Sequence, residues 1–189
     1  RGGIVHGLEK AGSGLVLCAK AVEAQMHFQK QFEGHNVEKI YLATVELSEN
    51  TKNEFKEKIP NGRINVSKEL DNLVGKDFEM DESWLKVEGY IGRSPINRMK
   101  TMFKIFPFNH AKYALSYIKP LSATEVLVRI KTGRMYQIRA TLEYLGVHIV
   151  GDSLFKTLKG GEIPDKIELE SILLSCEDMN GNIFIERLR

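Results

Sequence analysis

The feature that most restricts the fold of this 189-residue chain is that strand-like segments follow one another with few helices between them. Apolar alternation and β-branched or aromatic content predict strands over residues 14–20, 39–47, 84–91, 113–119 and 125–131. Residues 172–188 have the pattern of a hairpin around Asn180-Gly181. Clustered strands favour an α+β fold with a mixed, mainly antiparallel central sheet and flanking helices over a doubly wound fold, in which strands and helices alternate.

Two segments have the spacing of amphipathic helices. Apolar side chains that recur at intervals of three, four and four predict a helix over residues 21–33, which ends at Gly34. A second helix is predicted by Ile138, Leu142 and Leu145, and it ends at Gly146. These are the flanking helices of the predicted fold.

The length is that of one domain, and we expect residues 1–189 to form one. Residues 48–83 are polar and charged and contain several turn signals, so they are expected to form a solvated, insertion-like excursion. Cys18 and Cys176 show no pairing pattern, which favours a reducing intracellular compartment, cytoplasmic or organellar. The longest apolar stretch, residues 15–19, is too short to span a bilayer, and no membrane partner is expected.

Basic residues are concentrated in residues 93–139, which we call the basic segment. It contains ten of the 27 lysines and arginines but one of the 25 acidic residues, Glu125, together with six aromatic residues. Cations that contact phosphates beside rings that stack on bases are typical of RNA-binding surfaces. A solvated basic surface over core aromatics fits the composition equally well.

Motifs of several other functional classes are missing from the sequence. The five histidines are scattered and there is no Cys-x-x-Cys pair, so a zinc site is not expected. There is no Walker A sequence, and Gly12-Ser13-Gly14 is too short to indicate a phosphate-binding loop.

Four segments of the chain carry a set of motifs. They read G-I-V-H-G-L-E-K-A-G-S-G-L at residues 3–15, K-I-Y-L-A at residues 39–43, I-G-R at residues 91–93 and K-T-G-R-M-Y-Q-I-R at residues 131–139. Leu145-Gly146 and Ile149-Val150-Gly151-Asp152 follow the last of them. In content and order they resemble the RluA-type pseudouridine synthase family of RNA-modifying enzymes. The family motifs are G-x-V-H-R-L-D-K-x-T-S-G-L, K-x-Y-x-A, and T-G-R-x-H-Q-I-R with L-G-x-P-I-x-G-D, and I-G-R with Arg98 and Lys100 is similar to a stretch found in some members.

The resemblance implies a pseudouridine synthase-like catalytic domain. Such enzymes detach uracil from C1′ of the ribose, rotate it and rejoin it through C5, without a cofactor or a metal. An aspartate carboxylate acts at the sugar or base, a tyrosine stacks on the uracil, and an arginine binds the carboxylate. Carried over by motif, the three positions are those of Glu9, Tyr41 and Arg139.

The implied partner is structured RNA, ribosomal or transfer RNA, with one uridine in the cleft. A uridine extruded into such a cleft would leave its phosphates near the basic segment. The expected phosphate contacts are Arg93, Arg98, Lys100, Lys131 and Arg134.

The chain departs from the family pattern where the chemistry is most sensitive. Glu9 stands in place of the aspartate, and its extra methylene adds about 1.5 Å of reach, while a displacement of about 1 Å can cost about a hundredfold in rate. Gly7 stands in place of the arginine that fills the gap left by an extruded nucleotide, and it has no side chain to insert. Family domains also begin some tens of residues before the first motif, so the N-terminal part of the domain is expected to be missing here.

These departures favour an RNA-binding protein of the family with weakened or lost isomerase activity, compatible with ribosome-assembly or protein partners. The alternative is an active RNA uridine isomerase that uses Glu9 as its carboxylate. A further alternative is a protein-interaction module that does not bind RNA.

Overall fold

The computed structural model describes residues 3–73, 80–157 and 159–189. Within these ranges the helices are α1 (Val22–Glu33), α2 (Asn53–Lys56), α3 (Val66–Leu73) and α4 (Gln137–Tyr144). The strands in the same ranges are β1 (Ser13–Gly14), β2 (Glu38–Leu47), β3 (Leu85–Arg93), β4 (Thr101–Lys104), β5 (Lys112–Pro120), β6 (Glu125–Ile130), β7 (Val147–Ile149), β8 (Leu169–Glu177) and β9 (Ile183–Arg187).

The described strands form one sheet in the order β1-β8-β2-β6-β5-β3-β4, with β7 paired to β2 and β9 paired to β8. The β1–β8 pairing is parallel, and the other strand pairings in the described ranges are antiparallel. The prediction of an α+β fold with a mixed, mainly antiparallel central sheet is confirmed. β2 lies in the middle, with β8 on one side and β6 on the other.

Alternation along β2 separates the two faces of the sheet. Tyr41, Ala43 and Val45 point to the face on which α4 packs, whereas Ile40 is buried on the other face. Because successive side chains of a strand point to opposite faces, the register of β2 places Tyr41 on the same side as α4.

The predicted helix over residues 21–33 is confirmed as α1, and its capping residue is Gly34, as expected. Phe28 is its buried residue and packs with Val37, Leu174 and Cys176. The helix predicted before Gly146 is confirmed as α4, and Gly146 has a φ of 73°, a conformation that favours glycine.

The prediction of a buried strand over residues 14–20 is wrong beyond Gly14. His6 Nε2 accepts the Leu17 N–H at 3.0 Å, and Gly3 O accepts the Ala19 N–H at 2.8 Å. The Leu15 N–H still donates to Ser171 O of β8, but from Val16 onward the bonds of this segment are to residues 3–6 and not to the sheet, and Val16 remains 46% exposed.

Residues 48–83, which are expected to form a solvated excursion, are mostly exposed or half-buried but are anchored to the core at a few positions; residues 74–79 lie outside the described residues. Phe55 of α2 and Leu70 of α3 are fully buried. Leu70 packs with Val66 and Trp84 against the face of the sheet opposite α4. Burial of these few large side chains makes the segment part of the core in spite of its polar composition.

The sequence patterns missed the two shortest strands after β3. β4 was hidden in a basic, proline-interrupted stretch, and β7 has three residues, too few to show alternation. Both are edge pairings that tertiary contacts create: β4 pairs with β3, and β7 pairs with the end of β2.

Candidate active site

Arg139 of α4 lies between two carboxylates from distant parts of the chain. Its Nη1 donates a hydrogen bond to Glu9 Oε1 at 2.6 Å, and its Nε and Nη2 donate to the two oxygens of Asp152 at 2.7 and 2.6 Å. The side chains of Arg139 and Asp152 are buried, and that of Glu9 is 14% exposed. One positive charge therefore faces two negative charges where water screens little.

Two aromatic rings pack against the same guanidinium group. Arg139 Cζ lies 4.7 Å from the ring centroid of Tyr136 and 4.6 Å from that of Phe155, and the two rings meet edge to face. The Phe155 N–H donates to Asp152 Oδ1 at 3.2 Å, which ties the second carboxylate to the same ring. Arg139 is thus fixed by charge and by packing.

A buried network built on Gln137 positions the start of α4. Gln137 Nε2 donates to Leu115 O and Ser116 Oγ, and its Oε1 accepts from Thr132 Oγ1 and the Arg134 N–H. All four hydrogen-bonding sites of the amide are therefore used. The threonine, arginine and glutamine of the T-G-R-x-x-Q motif shape the turn that presents Arg139 from the first turns of α4.

Tyr136 precedes α4 in a left-handed conformation with a φ of 55°. Few non-glycine residues adopt this region. Histidine, which the family motif has at this position, adopts it several-fold more often than most side chains do. The strain places the ring over Arg139 and beside the cleft, as expected at a functional site.

Glu9 comes from the segment before β1, through a tight turn. The Gly12 N–H donates to Glu9 O at 2.9 Å, and β1 then pairs in parallel with β8. Gly14 has a φ of 115°, and a Cβ there would lie 2.2 Å from Ser171 O, so only glycine allows this close pairing. The Ser-Gly of the first motif thus anchors the turn that carries Glu9.

Tyr41 lies on the central strand β2, opposite Val128 of β6 and Ser171 of β8. Its side chain is buried but lines the cleft that also contains Glu9. Burial raises the pKa of Tyr41 to about 12, a hydrogen bond with Ser171 opposes this, and the charge of Glu9 adds to it. Tyr41 is therefore a neutral phenol held by rigid neighbours.

The cleft between these elements encloses about 550 Å³. Glu9, Tyr41 and Tyr136 line it, so the structure brings two of the three predicted catalytic side chains to its surface and places Arg139 directly behind Glu9. Residues from α1, β2 and the turn before α4 complete the wall: Phe32, His35, Lys39, Gly133 and Arg134.

The pKa of Glu9 is raised. Burial is the main cause, the charge and hydrogen bond of Arg139 oppose it, and the charge of Asp152 adds to it. The salt bridge to Arg139 does not offset burial, because Asp152 binds two of the nitrogens of Arg139 and Glu9 binds one.

We expect Glu9→Gln to stabilise the fold relative to the wild type increasingly as pH rises from about 4.5 through the folded-state pKa. The folded wild type binds its proton more tightly than the unfolded chain, so its stability falls over this window, whereas glutamine does not titrate. Urea denaturation at about pH 4 and about pH 7 measures the difference.

Glu38→Gln is the matched control with the opposite sign. Burial acts to raise the pKa of Glu38, but its bonds with Arg129 and Lys131 outweigh burial and lower it. Its replacement should destabilise the protein more at neutral pH than at acidic pH. A Glu9→Gln difference that is flat or declines with pH would contradict the raised pKa.

The predicted phosphate contacts divide into separate groups. Arg134 lines the cleft, and its Nε donates to Tyr113 O at 2.7 Å. Arg93 and Arg98 are exposed but do not line the cleft. Lys131 is half-buried and pairs with Glu38 at 3.2 Å. These four remain proposals, and Arg134 has the placement that best suits the role.

The expectation for Lys100 is wrong, because the residue is 3% exposed and its ammonium group is already bound within the protein. It forms an ion pair with Glu143 of α4 and donates to Thr157 O at 3.1 Å. Arg129 and Lys119 of the basic segment are likewise buried and paired, with Glu38 and Glu69. Some basic residues of the basic segment therefore form buried ion pairs between strands and neighbouring elements and do not face solvent.

Two further residues of the site were missed as functional candidates. Asp152 was noted as part of the last motif, but nothing in its spacing shows that it shares Arg139 with Glu9. Lys39 belongs to the K-x-Y-x-A motif, and its position two residues before Tyr41 on one strand was a usable signal, since i and i+2 share a face.

Within residues 3–73, 80–157 and 159–189, no three His, Cys, Asp or Glu side chains are grouped so that they could bind a metal ion. Among the helices described, none has the length and apolarity that crossing a bilayer requires.

Comparisons with known sequences agree with this architecture. The sequence model of the family described as RNA pseudouridylate synthase matches residues 1–144. The chain is 28% identical over 156 residues to RNA pseudouridine synthase 2, chloroplastic, of Arabidopsis thaliana, covering 82% of this chain and 31% of that protein. It is 27% identical over 184 residues to ribosomal large subunit pseudouridine synthase D of Borreliella burgdorferi, covering 97% and 47%. The chain thus spans about a third to a half of these relatives.

The fold is also that of a solved structure. Human RNA Pseudouridylate Synthase Domain Containing 1 superposes with a TM-score of 0.66 at 18% identity, covering 98% of this chain and 68% of that one. Because the matched family model covers well over half of the sequence and includes Glu9, Tyr41 and Arg139, the chain belongs to the RNA pseudouridylate synthase family, as a member of its RluA type.

Proposed function

We propose that this protein binds structured RNA with one uridine in the cleft of Glu9, Tyr41 and Arg139, and that its isomerase activity is weakened or lost. One observation carries the proposal. The cleft is fully assembled, but a Cβ added at Gly7 would meet nothing within 4 Å. The position that should fill the gap of an extruded nucleotide is therefore open space.

Binding of RNA is supported by charge and by family. Lys39 and Arg134 line one end of the cleft, and Arg93 and Arg98 add exposed positive charge in the basic segment. The name of the Arabidopsis relative states action on RNA, and that of the Borreliella protein names the large ribosomal subunit, so ribosomal RNA is our first candidate substrate.

The reaction ascribed to the family is an isomerisation, so the product has the same atoms as the substrate. The bond from C1′ to N1 breaks and a bond from C1′ to C5 forms. C5 loses a proton, and N1 gains one. In this cleft Glu9 would act at the sugar or base, Tyr41 would stack on the uracil, and Arg139 would bind the carboxylate and oppose the effect of burial on its pKa. These residues are our proposed catalytic residues.

Full activity with Glu9 is the second candidate, and one observation favours it. The Glu9 carboxylate reaches Arg139 Nη1 at 2.6 Å, so the longer side chain still forms the expected salt bridge. The turn of residues 9–12 accommodates the added methylene. What separates the two candidates is then the rate at which Glu9 supports isomerisation.

The test is to incubate the protein with a pool of unmodified ribosomal and transfer RNA and to map pseudouridine by carbodiimide labelling and primer extension. No new site, together with RNA binding, supports the proposal. A site that appears with the wild type and vanishes with Glu9→Gln establishes the second candidate instead.

RNA affinity is measured in the same preparations as a function of salt. Arg93→Glu with Arg134→Glu should weaken binding and flatten the slope of log affinity against log salt by about one to two. Lys86→Glu with Lys56→Glu, at exposed positions outside the cleft lining, is the matched control. Binding that does not depend on salt, or no binding, would revive a protein-interaction module.

A further inference from the structure

Lys39 is a buried lysine that opens onto the cleft. Its side chain is 8% exposed, and it shares a face of β2 with Tyr41. Among the described residues, its ammonium group forms no hydrogen bond or ion pair, and its close contact is with the ring of Phe32. Its neighbour Glu38 is engaged with Arg129 and Lys131. Burial lowers the pKa of Lys39, and the charge of Glu38 opposes this. An anion that enters the cleft would therefore stabilise the charged form of this buried ammonium group.

The electrostatics of the cleft place an anion at this end. Glu9 and Asp152 share one guanidinium, which leaves the Arg139 end with net negative charge. Lys39 and Arg134 give the other end positive charge. Both lower the pKa of His35, after burial, and Lys39 likewise lowers that of His6. An anionic group is repelled from Glu9 and attracted to Lys39.

The local geometry leaves the ammonium group accessible. Lys39 Nζ lies 5.6 Å from the ring centroid of Phe32, which steadies the side chain. On the cleft side it lies beside Gly133, where an added Cβ would be 3.7 Å away. Gly133 has no side chain to cover the ammonium group, and the turn leading to α4 passes close to it.

We propose that Lys39 is a phosphate-binding residue of the cleft, contacting a backbone phosphate of the RNA while the base of the same segment lies against Tyr41. This inference rests on the proposed RNA binding and deepens it by naming where the backbone is held. It separates the roles of two ends of one cleft: Lys39 for the phosphate, Glu9 for the sugar or base.

The test compares RNA affinity over a range of salt concentrations for the wild type, Lys39→Met, Lys39→Arg and Lys86→Met. Lys39→Met should weaken binding on the order of tenfold at low salt and reduce the salt slope by about one. Lys39→Arg should retain the slope. Lys86 is an exposed lysine paired with Glu88, so its loss should leave the slope unchanged.

Thermal unfolding separates a binding role from a structural one. Removal of a buried cation without a partner should leave the Tm of Lys39→Met equal to or above that of the wild type. A lower Tm with an unchanged salt slope would make Lys39 a structural residue and overturn the inference. Wild-type RNA binding with no effect of Lys39→Met overturns this inference alone, whereas no salt-dependent binding by the wild type overturns the proposed function with it.

Discussion

Replacement of Arg139 by methionine should lower the free energy of unfolding by roughly 3–5 kcal/mol at neutral pH, as is typical when one partner of a buried ion pair is removed. Glu9 and Asp152 would then be two like charges, buried and close together, without the guanidinium that binds both. The packing of Tyr136 and Phe155 against that group would be lost as well. Urea denaturation measures the change.

The pH dependence of this loss identifies its cause. Without Arg139 the charge that opposes burial is lost, so the folded-state pKa of Glu9 rises further above that of the unfolded chain. The penalty therefore grows as pH rises from the unfolded pKa through the folded pKa and disappears below the unfolded pKa. Adding Asp152→Asn to Arg139→Met removes one stranded charge and should recover part of the stability. A loss below about 1 kcal/mol that is the same at acidic and neutral pH would show that packing, not charge, explains the role of Arg139.

Gly7→Arg combined with Glu9→Asp should raise pseudouridine formation, by up to about a hundredfold if misplacement of the carboxylate is what limits the wild type. An arginine fits at position 7 because a Cβ there meets nothing within 4 Å and the backbone φ is not positive. It supplies a side chain to fill the gap of an extruded nucleotide. Glu9→Asp returns the carboxylate to its family length.

Each change is measured separately and together by quantitative pseudouridine mapping on ribosomal RNA. Gly62→Arg is the matched control, since that glycine is equally open, lies outside the cleft and adds the same charge. Equal gains from Gly62→Arg would mean that added charge improves RNA affinity without aiding catalysis. No gain from the double variant, with RNA binding intact, would mean that activity is limited by something other than positions 7 and 9.

Local sequence patterns predicted much of the fold because the spacing of apolar residues along a helix or strand depends on that element alone. The spacing around Phe28 and the alternation along β2 specify α1 and the central strand with few competing choices. The segment after Gly14 failed for the opposite reason: His6 bonds to Leu17 and takes the place of a strand partner, a contact that an apolar run does not reveal.

The candidate site was predicted where motifs carried information and missed where partners lie far apart in sequence. Tyr41 was placed by its motif in the cleft. Lys100 looked like a solvent-facing cation because its partner, Glu143, lies 43 residues away. Arg129 likewise pairs with Glu38 across 91 residues. Counting charges along a chain cannot separate such pairs from a binding surface, since burial depends on the whole fold.

The two-residue strand β1 holds the segment that carries Glu9 at one edge of the sheet. Tyr41 and Arg139 are held by the central strand and by a buried helix. Glu9 is attached through a short parallel pairing at one edge of the sheet. The carboxylate can therefore leave the cleft in a local opening that breaks the pairing with Ser171 and leaves the rest of the protein folded. An RNA that contacts Glu9 would favour the closed position of residues 3–14, so RNA affinity and assembly of the site would be linked through one equilibrium.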